Sequence, residues 1–385
     1  MRSLAFLASI MAGVSAIALP DPSGPYPVAM RIQSMTDSSR IDPYSPANDR
    51  HKRKVMTSLF WPIEDKKSCT IKQAAYMAPI TAAAYGEQAA AMGLSNETFA
   101  ELTLGVCHIS SGSACSTSKK TKYPLAVFSP GAGNSRLLYG AVARSLASHG
   151  YVVITVDHPY DAGVVEFPDG SVILSADISE EDQSLIDLVK VRAADVSFVV
   201  SQLQKASRRS SILKGLPGKI DFDSIVAYGH SLGGSTAAVA MLSDSRLRGG
   251  ANLDGRFVDP ALSKGPKQPF LMLGRPNHSE DDATWATFWK NKQGPKAELN
   301  IKGTVHGSYT DVPLILNALG IPAEVKAQLS EVVGTIDGNR MAKISTKTLS
   351  SFFAYALKSG KAKTFLKSLK QSPEITVVKS KLPGQ

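Results

Sequence analysis

Gly229-His230-Ser231-Leu232-Gly233 sets a serine between two glycines, directly after the apolar run Ile225 to Tyr228 and ahead of the small-residue stretch Ser235 to Leu242. Strand, sharp turn and helix in that order lift a serine hydroxyl off the end of a sheet, where it can attack a carbonyl. A hydroxyl is a weak nucleophile near neutral pH. It needs an imidazole to take its proton, and the imidazole needs a carboxylate to orient it. After Ser231 the chain holds His278 and His306. His306 lies in Gly303-Thr304-Val305-His306-Gly307-Ser308, a glycine-flanked loop after a short apolar run, and is the expected base. His278 sits one segment earlier, inside Asn277-His278-Ser279, and suits a surface role. For the acid, Asp254 is a lone carboxylate between Leu253 and Gly255, whereas Asp281 and Asp282 belong to the cluster Glu280-Asp281-Asp282. Such a cluster more often opens a helix, here one beginning near Ala283, which favours Asp254 but leaves Asp281 in contention.

Attack on a carbonyl also needs backbone N–H groups to hold the developing oxyanion. One is expected from Leu232, the residue after the serine. The other is expected from the glycine-rich turn Ser129-Pro130-Gly131-Ala132-Gly133-Asn134; Pro130 has no N–H, and Ala132 is the choice. His158, in Val156-Asp157-His158-Pro159-Tyr160, reads as a polar strand end or a pocket-lining residue.

The elements that must position these groups alternate between strand and helix. Short apolar runs at Leu125 to Phe128, Tyr151 to Val156, Ile225 to Tyr228, Phe270 to Leu273 and Leu299 to Ile301 read as buried strands. Between them, Leu137 to Leu146 and Ser179 to Leu203 carry helical apolar spacing, and Ile344 to Leu357 closes the chain as an amphipathic helix. Val28 to Met35 and Val55 to Trp61 add two further strands. The pattern predicts an α/β fold, a mostly parallel central sheet with helices on both faces, in a single domain over residues 19–385. Residues 64–122 break the alternation. They read as an insertion, with a helix over Ile80 to Met92 and a Ser/Lys loop over Ser110 to Lys122, and as a possible lid or pocket wall. The basic run Arg50 to Lys54 reads as a charged strand entrance rather than a processing site, and Arg208 to Ile220 as a loop.

Composition excludes several classes. The chain is 385 residues long, 43% hydrophobic and 20% charged, which is ordinary for a globular protein with a sizeable core. Arg2, the apolar run Leu4 to Leu19 and the small-residue site Ala16-Ile17-Ala18 predict a secretory leader over residues 1–18, hence a secreted, extracellular protein. No later stretch has the apolar length of a membrane span. An oxidising compartment permits disulfides, and of the three cysteines Cys69–Cys107 is favoured over Cys107–Cys115. No CxxC occurs, so no structural metal is expected, and nothing calls for a cofactor. Asn96-Glu97-Thr98 and Asn277-His278-Ser279 are glycosylation sequons. The formal charge is +10, and lysines recur at 358, 361, 363, 367, 370, 379 and 381. A solvated helix face is the preferred reading, with transient contact to an anionic lipid surface as the other; no nucleic-acid-reading motif accompanies them.

With these residues in place, the chain resembles the platelet-activating-factor acetylhydrolase-like branch of the α/β-hydrolases, particularly its secreted fungal members. The likeness rests on Asp37-x-Ser39-Arg40-x-Asp42-Pro43, Phe128-Ser129-Pro130-Gly131-Ala132-Gly133, Val156 to Tyr160, Gly229 to Gly234, Asn252-Leu253-Asp254-Gly255 and His306. It implies that the acid follows the strand after the elbow helix, which is Asp254. It further implies a metal-independent serine esterase that acts, in the manner of a calcium-independent phospholipase A2, on short or oxidised sn-2 acyl groups. Two departures bear on substrate choice: animal members carry a histidine where this chain has Pro130, and the insertion holding Cys69 and Cys107 looks particular to fungal relatives. The competing expectations are a broad carboxylesterase or polyester hydrolase and, from another class, an inactive binding or effector protein on the same fold.

Overall fold

The computed structural model describes residues 16–109, 121–179, 181–358 and 360–384. Most of the apolar leader, Cys115 and most of the Ser/Lys loop lie outside the described residues.

Strand Lys219–His230, which leads into Ser231, is the middle of the main sheet. Its residues alternate strictly: Ile225 and Ala227 enter one apolar core while Val226 and Tyr228 enter the other. Helices Asp182–Gln204 and Leu232–Ser243 cover the first face, with Val189, Val196, Ala237 and Ala238 inside. Helices Gly140–Ala147 and Gly338–Ala356 cover the second, with Ala141, Leu146, Ile344 and Phe353 inside. Among the described residues the sheet has nine strands, in the order Ile375–Lys381, Lys296–Ile301, Phe270–Gly274, Leu247–Leu253, Lys219–His230, Lys122–Ser129, Val152–Asp157, Lys52–Pro62 and Val28–Ile41. From Lys296–Ile301 through Val152–Asp157 every pairing is parallel, and the pairings outside that run are antiparallel. This is the doubly covered, mostly parallel α/β sheet that the alternation predicts.

The last strand differs from expectation. Ile375–Lys381 pairs antiparallel with Lys296–Ile301, so Lys379 and Lys381 belong to an edge strand, and Lys379 Nζ sits 3.0 Å from Glu298 Oε2. An edge strand has one covered face and alternates polar with apolar residues, which blurs its signal in a lysine-rich tail. Lys361, Lys363, Lys367 and Lys370 are exposed on and beside helix Ala362–Leu369. The segment read as a loop from Arg208 begins instead within helix Ala206–Ile212. Arg53 is buried against Asp42 and Asp195, as a strand entrance requires and a processing site does not.

The insertion is a small sheet of its own. Cys69–Ala75 pairs antiparallel with Leu102–Ile109, a Cys69–Cys107 disulfide joins them, and Ile17–Ala18 adds a short parallel edge. Helix Pro79–Ala91 follows, and Tyr76, Tyr85, Ala89 and Phe99 fill the second core. Tyr76 Oη donates to Asp311 Oδ2 at 2.9 Å, and Tyr85 Oη accepts from the Ser135 N–H at 2.8 Å. The described part of the insertion is therefore a wall packed on the helix after the glycine-rich turn. None of its described residues lines the cavity beside Ser231.

Candidate active site

Ser231 caps strand Lys219–His230 and precedes helix Leu232–Ser243, with φ 55° and ψ −127°. That is strained backbone for a residue with a Cβ, and it turns the side chain off the sheet end. The flanking glycines are sterically required. A Cβ on Gly229 would lie 2.3 Å from the Gly233 carbonyl, and one on Gly233 would lie 2.0 Å from the Ser129 oxygen. Leu232 opens the helix, so its N–H has no partner within that helix and is free to face a ligand.

Asp254 follows strand Leu247–Leu253 with φ 54°, and its own N–H donates to the Leu273 carbonyl at 2.9 Å. The carboxylate is buried and shared. Oδ2 accepts from His306 Nδ1 at 2.8 Å, while Oδ1 accepts from His278 Nδ1 at 2.7 Å and the Arg275 N–H at 2.8 Å. Burial works to raise this carboxyl's pKa, but the hydrogen bonds from His278 and His306 outweigh it and hold it below the ordinary range. His306 opens the short 3₁₀ turn His306–Tyr309, its side chain 54% exposed. Thus Asp254 and His306 come together from separate loops. Asp281 does not join them: it is exposed and bound to Arg275 Nη1 at 2.6 Å. Asp282 caps helix Ala283–Asn291 by accepting the Thr284 N–H, as its acidic cluster predicts. His278 corrects the sequence reading. It is 4% exposed, its ring 4.0 Å from that of Trp285, and it is bound to the same carboxylate as His306. Neither the sequon nor the loop position signals this, because the covering Trp285 comes from the following helix.

The glycine-rich turn lies against the serine: a Cβ on Gly131 would be 3.3 Å from Ser231 Cβ. One tyrosine registers the turn. Tyr139 Oη accepts from the Gly131 N–H at 3.2 Å and from Asn134 Nδ2 at 3.1 Å, and donates to His230 Nδ1 at 2.9 Å. His230 Nε2–H then donates to the His306 carbonyl at 3.0 Å. This chain requires a neutral imidazole. Burial, then the neighbouring His306, push the His230 pKa down to about 3. Serine elbow, glycine-rich turn and His306 loop are thereby tied through one side chain. Below the turn, Arg192 is buried and donates to the Pro130 carbonyl and to Asp161. His158 is buried too. It bridges Ser129 Oγ at 2.9 Å and Asp195 Oδ2 at 2.9 Å, rather than lining the cavity.

Ala132, Ser231 and Leu232 border a cavity of about 350 Å³. Ile178, Leu185 and Leu188 give it an apolar wall, and the exposed guanidinium of Arg256 also borders it. Sequence reasoning passed over these. Leu185 and Leu188 counted as core of a long amphipathic helix, yet that helix's first turns face the cavity. Arg256 stands two residues after Asp254, and that proximity was the available signal. Among the described residues no group of three or more His, Cys, Asp or Glu side chains is arranged to hold a metal ion.

Comparisons with known proteins identify the family. The family model described as platelet-activating factor acetylhydrolase, isoform II, matches residues 11–217 and 210–365. A probable 1-alkyl-2-acetylglycerophosphocholine esterase of Arthroderma benhamiae is 31% identical over 366 residues, spanning 89% of each chain. The platelet-activating factor acetylhydrolase of Canis lupus familiaris is 27% identical over 263 residues, 60% of this chain and 56% of that one. A ferulic acid esterase from Streptomyces cinnamoneus superposes with a TM-score of 0.74 at 27% identity, covering 94% of this chain and all of the other. The protein belongs to the isoform II family of platelet-activating factor acetylhydrolases, on the α/β-hydrolase fold.

Proposed function

We propose that the chain is a serine ester hydrolase that removes short sn-2 acyl groups from phospholipids, with Ser231 as nucleophile, His306 as base and Asp254 as orienting acid. The observation that carries this reading is the strained serine turn held beside the Asp254–His306 pair: the Ser231 N–H donates to the carbonyl of Leu253, the residue before Asp254, and His230, the residue before Ser231, donates to the His306 carbonyl. Asp254 holds the proton of His306 on Nδ1 and leaves Nε2 to take the Ser231 proton as Oγ attacks the carbonyl. The Leu232 and Ala132 N–H groups receive the oxyanion. Collapse expels the lysolipid alcohol, which takes its proton from His306. Water, activated by the same imidazole, then releases the acyl group.

A cavity of about 350 Å³ suits a short acyl chain on its apolar wall, and Arg256, which borders it and pairs with Asp182 at 3.0 Å, is the cation nearest to hand for a phosphate. The similarity to an acetylglycerophosphocholine esterase supports this substrate class. The ferulic acid esterase neighbour favours a second reading, a broader carboxylesterase. Rates on sn-2 acetyl and sn-2 palmitoyl phosphocholines, p-nitrophenyl acetate and methyl ferulate separate the two. A steep preference for the acetyl phospholipid supports the first, and indifference to the head group the second. Ser231→Ala should abolish both fluorophosphonate labelling and turnover; an undiminished Ser231→Ala rate would refute the mechanism.

Secretion is part of the proposal. The Cys69–Cys107 disulfide suits an oxidising compartment, and Asn96 and Asn277 are exposed for glycosylation. Removal of residues 1–18 would leave Leu19, whose N–H bonds the Thr103 carbonyl, as the first residue. The lysines on helix Ala362–Leu369 offer transient contact with an anionic lipid surface. N-terminal sequencing of protein recovered from medium tests the leader, and vesicle co-sedimentation tests the surface contact.

A further inference from the structure

Asp254 serves two imidazoles, and the mechanism uses only one of them. A neutral imidazole has one N–H donor and one acceptor nitrogen, whereas an ionised carboxylate only accepts. At His278 both nitrogens face carboxylates: Nδ1 is 2.7 Å from Asp254 Oδ1, and Nε2 is 3.4 Å from Asp282 Oδ2. Asp282 is held in its ionised, accepting form by the Thr284 N–H and hydroxyl. Nε2 makes no hydrogen bond and meets Asp282 only as an ion-pair contact, an arrangement that favours the ring carrying both protons.

We propose that His278 is an imidazolium clamped between Asp254 and Asp282, and that it is a positioning residue which pins one oxygen of Asp254 and, as a cation beside that carboxylate, extends activity toward acid. The proposal rests on the assignment of His306 and Asp254 given above. Burial against Trp285 opposes a charge on this ring, but its contacts with Asp254 and Asp282 prevail and its pKa lies above the ordinary histidine value. The groups around it are Asp282 on its own turn, Asp254 from the neighbouring strand end, Arg275 from the preceding loop and His306 across the shared carboxylate; Glu280 and Asp281 on the same turn are exposed. Arg275, whose Nε lies 4.0 Å from Asp254 Oδ2, works against the charge on His278.

The consequence has a definite sign. A cation on the far side of Asp254 weakens the pull of that carboxylate on a second proton at His306. A second positive charge beside Asp254 is thereby disfavoured, and activity extends further into acid. His278→Asn keeps an N–H toward Asp254 but removes the charge. It should move the acid limb of kcat/KM upward by about one pH unit while plateau kcat stays within about tenfold. His278→Phe also releases Asp254 and should lower plateau kcat by more than about tenfold with KM little changed. The charge itself is read by ¹⁵N NMR of imidazole nitrogens in the Ser231→Ala protein, assigned by the signal lost in His278→Asn. His278 should stay cationic above the pH at which free histidine becomes neutral. A neutral His278 at pH 7, or an unmoved acid limb in folded His278→Asn, would overturn the proposal. Turnover by Ser231→Ala would instead sink the triad assignment and leave the NMR result standing.

Discussion

Replacing Asp254 by asparagine is the most exacting test of how the site is built, because the surrounding donors dictate how the amide must sit. Oδ1 takes two donors, the fixed Arg275 N–H at 2.8 Å and His278 Nδ1–H at 2.7 Å, while Oδ2 takes only His306 Nδ1 at 2.8 Å. An asparagine has a single accepting oxygen, and it will go where two donors converge. Its NH₂ then faces His306 and demands an acceptor at Nδ1. The His306 proton moves to Nε2, the nitrogen that the proposed mechanism needs bare to deprotonate Ser231. A triad in the wrong tautomer loses about 10⁴ in kcat, roughly 5.5 kcal/mol of transition-state stabilisation. KM should change only a few-fold, since the cavity wall is untouched. The assay is steady-state hydrolysis of p-nitrophenyl acetate and an sn-2 acetyl phospholipid, with Asp281→Asn in parallel. Asp281 lies on the surface and should cost less than about threefold. A folded Asp254→Asn enzyme within about tenfold of the parent, or a larger loss from Asp281→Asn, would refute the reasoning.

Other outcomes follow from the same contacts. Gly233→Ala drives a methyl to 2.0 Å from the Ser129 oxygen and should destabilise by about 2 kcal/mol or more, with activity falling further, as denaturant titration and turnover will show. Arg256→Gln should lower kcat/KM on the acetyl phospholipid by about tenfold or more and leave p-nitrophenyl acetate within about twofold; equal losses on both would remove Arg256 from head-group recognition. Cys69→Ser opens a loop of sequence separation 38 and should cost about 4 kcal/mol on the loop-closure estimate, read as a lower melting temperature that no longer responds to reductant.

Local chemistry carried much of the site. Strand, Gly-x-Ser-x-Gly and helix are contiguous, so the elbow needs no tertiary information. The helix cap at Asp282 was legible for a similar reason, while the sequence alone left Asp254 and Asp281 both open and the family resemblance tipped the choice to Asp254. What failed depends on burial by distant residues. His278 reads as a surface histidine until Trp285 and Asp254 close over it from other elements. Tyr139 reads as the end of an apolar helix face, and only the fold brings its hydroxyl to Gly131 and His230. Residues 64–122 read as a lid or a pocket wall because they interrupt the alternation. Their aromatic residues instead belong to the core, and Tyr85 reaches the turn region only through the Ser135 N–H. The cavity wall comes from the start of helix Asp182–Gln204.

Two motif pieces without reacting groups have a physical reason to accompany the elbow, and Asp195 supplies it. Ser39 and Arg40 bind Asp37, and Arg40 Nη2 continues to Asp195 Oδ1 at 2.8 Å. Arg53 joins Asp42, the Pro159 carbonyl and Asp195 Oδ2, the last at 2.7 Å. His158, kept neutral chiefly by burial and then by Arg192, donates to Asp195 and accepts from the hydroxyl of Ser129, the residue that leads into the glycine-rich turn. The N-terminal segment and the Asp157-His158 strand end thus converge on one carboxylate beneath the turn. Burial acts to raise the Asp195 pKa, but Arg53 and His158 hold it far below the ordinary 3.8. The folded state therefore binds fewer protons than the unfolded one as pH falls through about 4, so this stabilisation is present above that pH and is lost below it. Asp195→Asn keeps the shape and removes the charge, leaving Arg53 with Asp42 as its remaining anion. It should cost about 3–5 kcal/mol in urea titration at neutral pH and flatten the decline in stability below about pH 4. An Asp195→Asn protein with an unchanged midpoint would mean that these segments meet without supporting one another, and that the glycine-rich turn is held by Arg192 and Tyr139 alone.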